Sequence, residues 1–581
     1  MSSPAQVTPQ GMEEVPPHPG ELTLRALVTG ACLGAILTPC NVYAGLKIGW
    51  SFNMSITALL LGFLFWRLFL RLYNLRPWEI LESNISQTTA SSAASIISGG
   101  LVAPIPALAL VSGVVLAPGP LIAWVFAVSF LGVWIAWYLR VPLLYRSHLA
   151  YPAGTVTAET MIELFGHGRA AMQRVTVLLS AALVSGGLKG LDALLWAVPR
   201  WSPGALPAKL TFVFDPSLLL TGFGAIIGLR AGLSLLGGAL VAWAGLGPWL
   251  IRNGHIAVAA DAANYFVPLV EWLLWPGVAL MVTATVTSLV ANLFKRRRDR
   301  FTGDDLPVTE SHRILRLCAL LGAAILVIVL EVAVMGIGIV AALASIPMAF
   351  FLAAVVGRVV GETGIPPIGA VGKLSQLSFA VIAPAQATTN LMTANVAGGA
   401  AGQTADLLND FKCGIAVGAT PGRQVAAQCV GIATGSVVGS LVYLALVPDP
   451  QSMLLTAEWP APAVATWKAV AEMLTEGLGA LPGSAMVAML FAAIAGTVLG
   501  VLDAVLPVAK LRFLPSASAL GLAFVIPAST SLGLFYGALL AALLARFFRR
   551  WSGAYLLAAA AGLVAGESLM GVMLAGLSMA A

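Results

Sequence analysis

The segment 83–139 contains no Asp, Glu, Lys or Arg. Apolar stretches of about eighteen residues or more with few charges mark membrane-spanning helices, and this run is several times too long for a soluble surface. Charge is also absent from 26–46, 231–251, 272–294, 332–357, 374–405, 477–502 and 513–545. Across the chain 59% of residues are apolar and 10% charged, against about 25% charged in soluble domains. The fold class is therefore an all-α polytopic membrane protein. At about twenty residues per span the chain has room for roughly 14–17 crossings, with no segment left for a separate soluble core.

The net charge of +6 does not indicate a nucleic-acid surface, because seven of the 31 basic residues lie in 295–316, between two apolar blocks. This is the pattern of a positive-inside loop, and no aromatic interleaving supports nucleic-acid binding. Smaller basic groups at 67–76 and 546–550 should face the cytoplasm as well. The five cysteines and five histidines show no CxxC, HxxxH or HExxH spacing, so neither a structural metal nor a resident cofactor is expected. Residues 1–20 lack the basic start and apolar core of a signal peptide and read as a disordered cytoplasmic tail.

The charged linker 295–316 divides the chain into transmembrane segments 21–294 and 317–581, the division expected of a duplicated carrier. Three weak parallels support two related halves: GLKIGWSFN (45–53) with GETGIPPIG (361–369), NISQTTASSAAS (84–95) with NVAGGAAGQTAD (395–406), and YPAGTVTAE (151–159) with IPASTSLGL (526–534). The unequal offsets imply inserted helices or loops.

Polar residues inside apolar segments are costly unless they meet a partner or water, so they are candidates for function. The stretch 81–99 carries Glu82, Asn84, Gln87 and Thr88; the stretch 395–412 carries Asn395, Gln403, Asp406 and Asp410. Asp406 and Asp410 are four apart, on one helical face, where two carboxylates repel unless one is protonated, paired or facing a cation. Lys47 and Glu362 sit in the Gly/Pro-interrupted stretches 45–50 and 361–369, which suggest broken helices with free backbone groups at membrane depth. In 148–168, Pro152 and Gly154 point to a short or re-entrant segment carrying Tyr151, Thr155, Glu159 and Glu163, with Glu159 the preferred proton site. For all these residues, helix packing or solvation at a helix end is the alternative role.

The strings NVYAGLKIGW (41–50), ESNISQTTASSAA (82–94), YPAGTVTAE (151–159), GETGIPPIGAVGKLSQLSF (361–379) and ANVAGGAAGQTADLLNDFKCGIAVGATPGRQ (394–424) occur in this order. In them the chain resembles the oligopeptide transporter family, which joins peptide carriers with yellow-stripe metal-chelate carriers, and its prokaryotic branch in particular. The resemblance implies about sixteen transmembrane helices in two related halves, within the count above, and proton-coupled uptake of short peptides or peptide-like chelates. It marks Asn84, Gln87, Thr88, Tyr151, Thr155, Gln403, Asp406, Asp410 and Lys412 without assigning each a role. The NPG and KIPPR strings of eukaryotic peptide carriers are absent, so their specificity does not carry over.

The leading reading is a proton-driven symporter in the cell inner membrane that imports short oligopeptides by alternating access. A carrier of metal-chelate or siderophore-type complexes is the alternative. An intramembrane enzyme is more distant, since neither GxGD nor GxSG occurs, and GIPPIGAVGKLS (364–375) fails as a phosphate loop at Pro367 and Leu374. The expected partners are a small peptide or chelate, protons and the lipid bilayer. Association into a homo-oligomer is compatible with this reading.

Overall fold

The computed structural model describes residues 20–49, 53–73, 76–145, 149–166, 168–196, 198–259, 262, 264–296, 313–363, 368–456, 458–476, 483–506, 508–511 and 513–580. The 1–20 tail, apart from Gly20, and most of the 295–316 linker thus lie outside the described residues. Regular structure here is helical, apart from an isolated bridge between Trp201 and Phe214. Twelve described helices are long and apolar enough to cross a membrane, and Ser55–Leu70, Leu218–Ile227 and Val371–Ile382 are shorter apolar helices.

The centre is built from five helices: Leu24–Ile48, Ile80–Ala94, Pro118–Arg140, Ala387–Val417 and Pro421–Leu446. The Ala387–Val417 helix is too polar to count among the apolar spans, yet every residue from Thr389 to Phe411 except Asp406 is buried. Burial by neighbours, not its own hydropathy, keeps this helix inside. The outer helices pair across the linker: Gly168–Leu194 packs on Arg549–Ala580, and Phe266–Arg296 on Gly483–Val505. The segments 21–294 and 317–581 therefore interleave.

Small residues allow these close crossings. A Cβ on Gly566 would lie 2.0 Å from the Ala182 carbonyl oxygen, and one on Gly431 2.3 Å from that of Thr89.

One end of the bundle is basic. Arg25 and Arg76 converge on the fully buried Glu82, with Arg76 at 3.0 Å and Arg25 in a charged hydrogen bond, and Thr23 donates to the same carboxylate at 2.7 Å. Arg423 pairs with Glu21, and Arg140 and Arg316 both lie over the Trp137 ring. The start of the first helix, the 67–76 turn and the exit of the linker thus share an end.

Two segments differ from their sequence expectations in kind. The 45–50 interruption is a helix end, closed by Gly49 in the left-handed conformation at φ 78°; residues 364–367 of the other lie outside the described residues. The chain instead breaks within Ile80–Ser112. Its first helix stops at Ala94, a 3₁₀ turn covers Ser95–Gly99, Gly100 turns at φ 116°, and Pro104 begins a new helix. A Pro nucleates the second piece and the Gly supplies a backbone conformation that side chains disfavour. Asn395 fits against that turn, its Nδ2 donating to the Gly99 carbonyl at 3.0 Å. The 148–168 stretch becomes the helix Pro152–Gly166, 15 residues and hence about 22 Å long, short of the roughly 30 Å hydrocarbon layer.

Candidate functional site

The break at Ser95–Ala103 exposes backbone groups to the middle of the Ala387–Val417 helix, where the carboxylates stand. Asp410 is 3% exposed and accepts at both oxygens, from Gln87 Nε2 at 2.8 Å and Gln428 Nε2 at 2.7 Å. Gln424 Nε2 donates to the Asp410 backbone carbonyl, and Gln403 Nε2 donates to Gln428 Oε1 at 2.7 Å. This amide network holds Asp410 in one orientation and pins three helices together. Asp406, one helical turn away, is treated differently. It is hydrogen-bonded to Ser95 at the break, and it alone in its stretch of helix is not buried. One carboxylate of the pair is clamped by two amides and the other is partly exposed with a single hydroxyl partner, an asymmetry suited to binding and releasing a proton or a cationic group.

Polar capacity around the pair is left unspent. Asn84 Oδ1 and Nδ2, Thr88 Oγ1, Gln87 Oε1 and Gln403 Oε1 are buried without a hydrogen-bond partner. Buried polar atoms of native proteins are nearly always satisfied by protein, water or ligand, so such a cluster indicates a place that water or substrate reaches.

Gln87, Gln403, Asp406 and Asp410 thus gather around one locus, Asn395 braces the broken turn, and Asn84 and Thr88 lie buried on the helix that carries Gln87. The others lie elsewhere. Glu82 is held by its arginines at the basic end. Lys47 is in the last turn of its helix, about 33 Å along it from Arg25, where its ammonium donates to the Glu458 carbonyl and lies 4.6 Å from the centre of the Trp459 ring. Tyr151 is fully buried at φ 46° and bridges to the Ile339–Thr363 helix, its hydroxyl donating to the Gly357 carbonyl at 2.9 Å and its N–H to that of Gly361 at 2.8 Å. Thr155 donates to the Ala150 carbonyl. Glu159 is exposed, on the same face as Val156, Ile162 and Glu163, while Gly154, Thr157, Ala158 and Met161 turn inward; Glu163 pairs with Arg174 at 2.8 Å. The Glu362 side chain lies outside the described residues.

Sequence reading missed Gln424 and Gln428, and with them Ser92 and Ser95 as site members. The glutamines had a readable signal: they stand four apart in the charge-free run 424–448, which is costly in a membrane span unless the two are used.

The model of the OPT oligopeptide transporter protein family matches residues 21–578. A Haemophilus influenzae chain provisionally named an oligopeptide transporter is 25% identical, over 92% of this chain and 92% of its own length. The iron-phytosiderophore transporter yellow stripe 1 of Zea mays is 25% identical over 96% and 90%, and a metal-nicotianamine transporter of Oryza sativa is 24% identical over 96% and 92%. With the family model matching nearly end to end, the protein belongs to the OPT oligopeptide transporter family, as an integral multi-pass membrane transporter.

Proposed function

We propose that the protein is a proton-coupled symporter that imports short oligopeptides by alternating access, with Asp406 as the proton-carrying carboxylate and no catalytic chemistry of its own. The observation behind this reading is the asymmetry of the pair: Asp410 is fixed by two amides, while Asp406 is partly exposed and hydrogen-bonded to Ser95 of the broken span. A carrier needs a group whose charge changes with the side it faces, and a carboxylate at a helix break meets that need. The halves 21–294 and 317–581 then act as two related units moving about this locus. A metal-chelate substrate is the second reading, favoured by the long alignments to carriers named for metal-nicotianamine and iron-phytosiderophore.

The test is uptake into proteoliposomes under an imposed pH gradient, inside alkaline. Wild type should concentrate trialanine and lose that accumulation when a protonophore collapses the gradient. Asp406→Asn should equilibrate substrate without concentrating it. Accumulation that survives the protonophore removes proton coupling, and gradient-driven accumulation by Asp406→Asn removes Asp406 from it.

A further inference from the structure

The Ile368–Ile382 helix carries a buried cation outside this site. Lys373 is 7% exposed, and no ion pair or hydrogen bond engages its ammonium among the described residues. Among the described residues no carboxylate pairs with it. On the adjoining Pro462–Glu476 helix, Glu472 is held by Lys468 at 2.6 Å. On the Ala387–Val417 helix, the face continuing from Asn390 presents Ala394 and Ala397.

Gln376, one turn beyond Lys373, shares its face. That face is turned to the cleft between neighbouring helices, because Gln376 Nε2 donates to Asn390 Oδ1 at 3.1 Å and to the Trp467 carbonyl at 3.2 Å. Gln376 Oε1 is buried and accepts nothing. Alongside, Gly372 lies flush on the Trp467 ring, where a Cβ would approach to 2.2 Å. A lysine held at 7% exposure with no ion pair among the described residues is unfavourable, and so is a buried acceptor without a donor. One ligand relieves both: an anion with an N–H donor beside it.

We propose that Lys373 and Gln376 receive the terminal carboxylate of the substrate. The carboxylate oxygens accept from Lys373 Nζ, and the amide N–H preceding that carboxylate donates to Gln376 Oε1. The charge-assisted contact supplies most of the selectivity. This deepens the carrier reading and rests on it. A carboxylate comes from a peptide C-terminus or from a chelate, and the unused acceptor beside the lysine favours the peptide.

The first test uses the unmodified protein in detergent. Acetic anhydride is added with no ligand, with trialanine, with trialanine amide, or with the iron complex of nicotianamine, and acetylation of Lys373 is read by mass spectrometry. Trialanine should lower acetylation at least about fivefold and its amide should not, because only the free acid carries the charge Lys373 pairs with. Protection by the iron complex and not by trialanine would assign the carboxylate to a chelate and overturn the peptide assignment. Equal protection by acid and amide, protection by no ligand, or no acetylation in the ligand-free protein overturns the proposal. In liposomes, Lys373→Gln should lose the acid-over-amide preference in uptake and Lys373→Arg should keep part of it; an unchanged preference in Lys373→Gln also overturns it. Wild type that transports none of the three probes defeats the carrier reading itself, whereas transport with Lys373 unprotected defeats only this assignment.

Discussion

Replacing Gln428 by Ala should be among the most damaging single changes in the protein, although Gln428 is not one of the carboxylates. Its side chain makes two bonds in the protein interior: it donates to Asp410 Oδ2 and accepts from Gln403 Nε2, each at 2.7 Å. Truncation leaves both partners buried. Gln403 keeps only a long 3.5 Å contact to Ser92, and Asp410 keeps one amide. A buried group left unsatisfied costs about 1–3 kcal/mol, so two put the loss at about 2–6 kcal/mol. Gln451→Ala is the control, since Gln451 is exposed and its Nε2 donates to the Ala109 carbonyl at 2.8 Å, a bond worth about 1 kcal/mol. Asp410→Asn should be mild, at under about 1 kcal/mol. The new amide donates to Gln428 if Gln428 flips, and Gln403 can flip in turn because its Oε1 is unused. Reversible unfolding in mixed micelles, followed by tryptophan fluorescence, compares all three variants. Gln428→Ala no worse than Gln451→Ala, or Asp410→Asn as damaging as Gln428→Ala, would refute the network argument.

Arg25→Met should cost about 3 kcal/mol in the same assay, because it strips a fully buried Glu82 of its main partner and leaves Arg76 and the Thr23 hydroxyl to compensate; a loss under about 1 kcal/mol would mean that these two suffice. Gly431→Ala should lower stability by about 1–3 kcal/mol, since the new methyl would press on the Thr89 carbonyl and force two central helices apart; wild-type stability would show that this crossing yields freely. Tyr151→Phe should cost about 1 kcal/mol by removing the hydroxyl's bond to the Gly357 carbonyl, with no loss of pH dependence in uptake. Glu159→Gln should keep wild-type pH dependence because Glu159 is exposed and apart from Asp406; a pH-independent variant would return Glu159 to the mechanism.

The sequence by itself determined the membrane class, because free-energy costs of burying charge in hydrocarbon act on each segment independently of its neighbours. It also marked both helical segments of the candidate site, 84–88 and 403–410, since amides and carboxylates in apolar segments are legible one segment at a time. Tertiary structure decided which of them are used and how. Nothing local distinguishes Glu82 from Asp406, yet one is locked by Arg25 and Arg76 and the other stands open at a broken helix. Asp406 and Asp410 have equivalent sequence settings, and only the approach of Gln87 from one helix and Gln428 from another clamps the second, while Ser95 at the break meets the first. The break itself moved from the expected Gly/Pro stretch at 45–50 to 95–103. A Gly can close a helix or interrupt a span, and the choice falls to whichever neighbour packs on it: for Gly49 the ring of Pro462, for Gly100 the amide of Asn395. Partners hundreds of residues apart make those decisions, and no one-dimensional pattern brings them together.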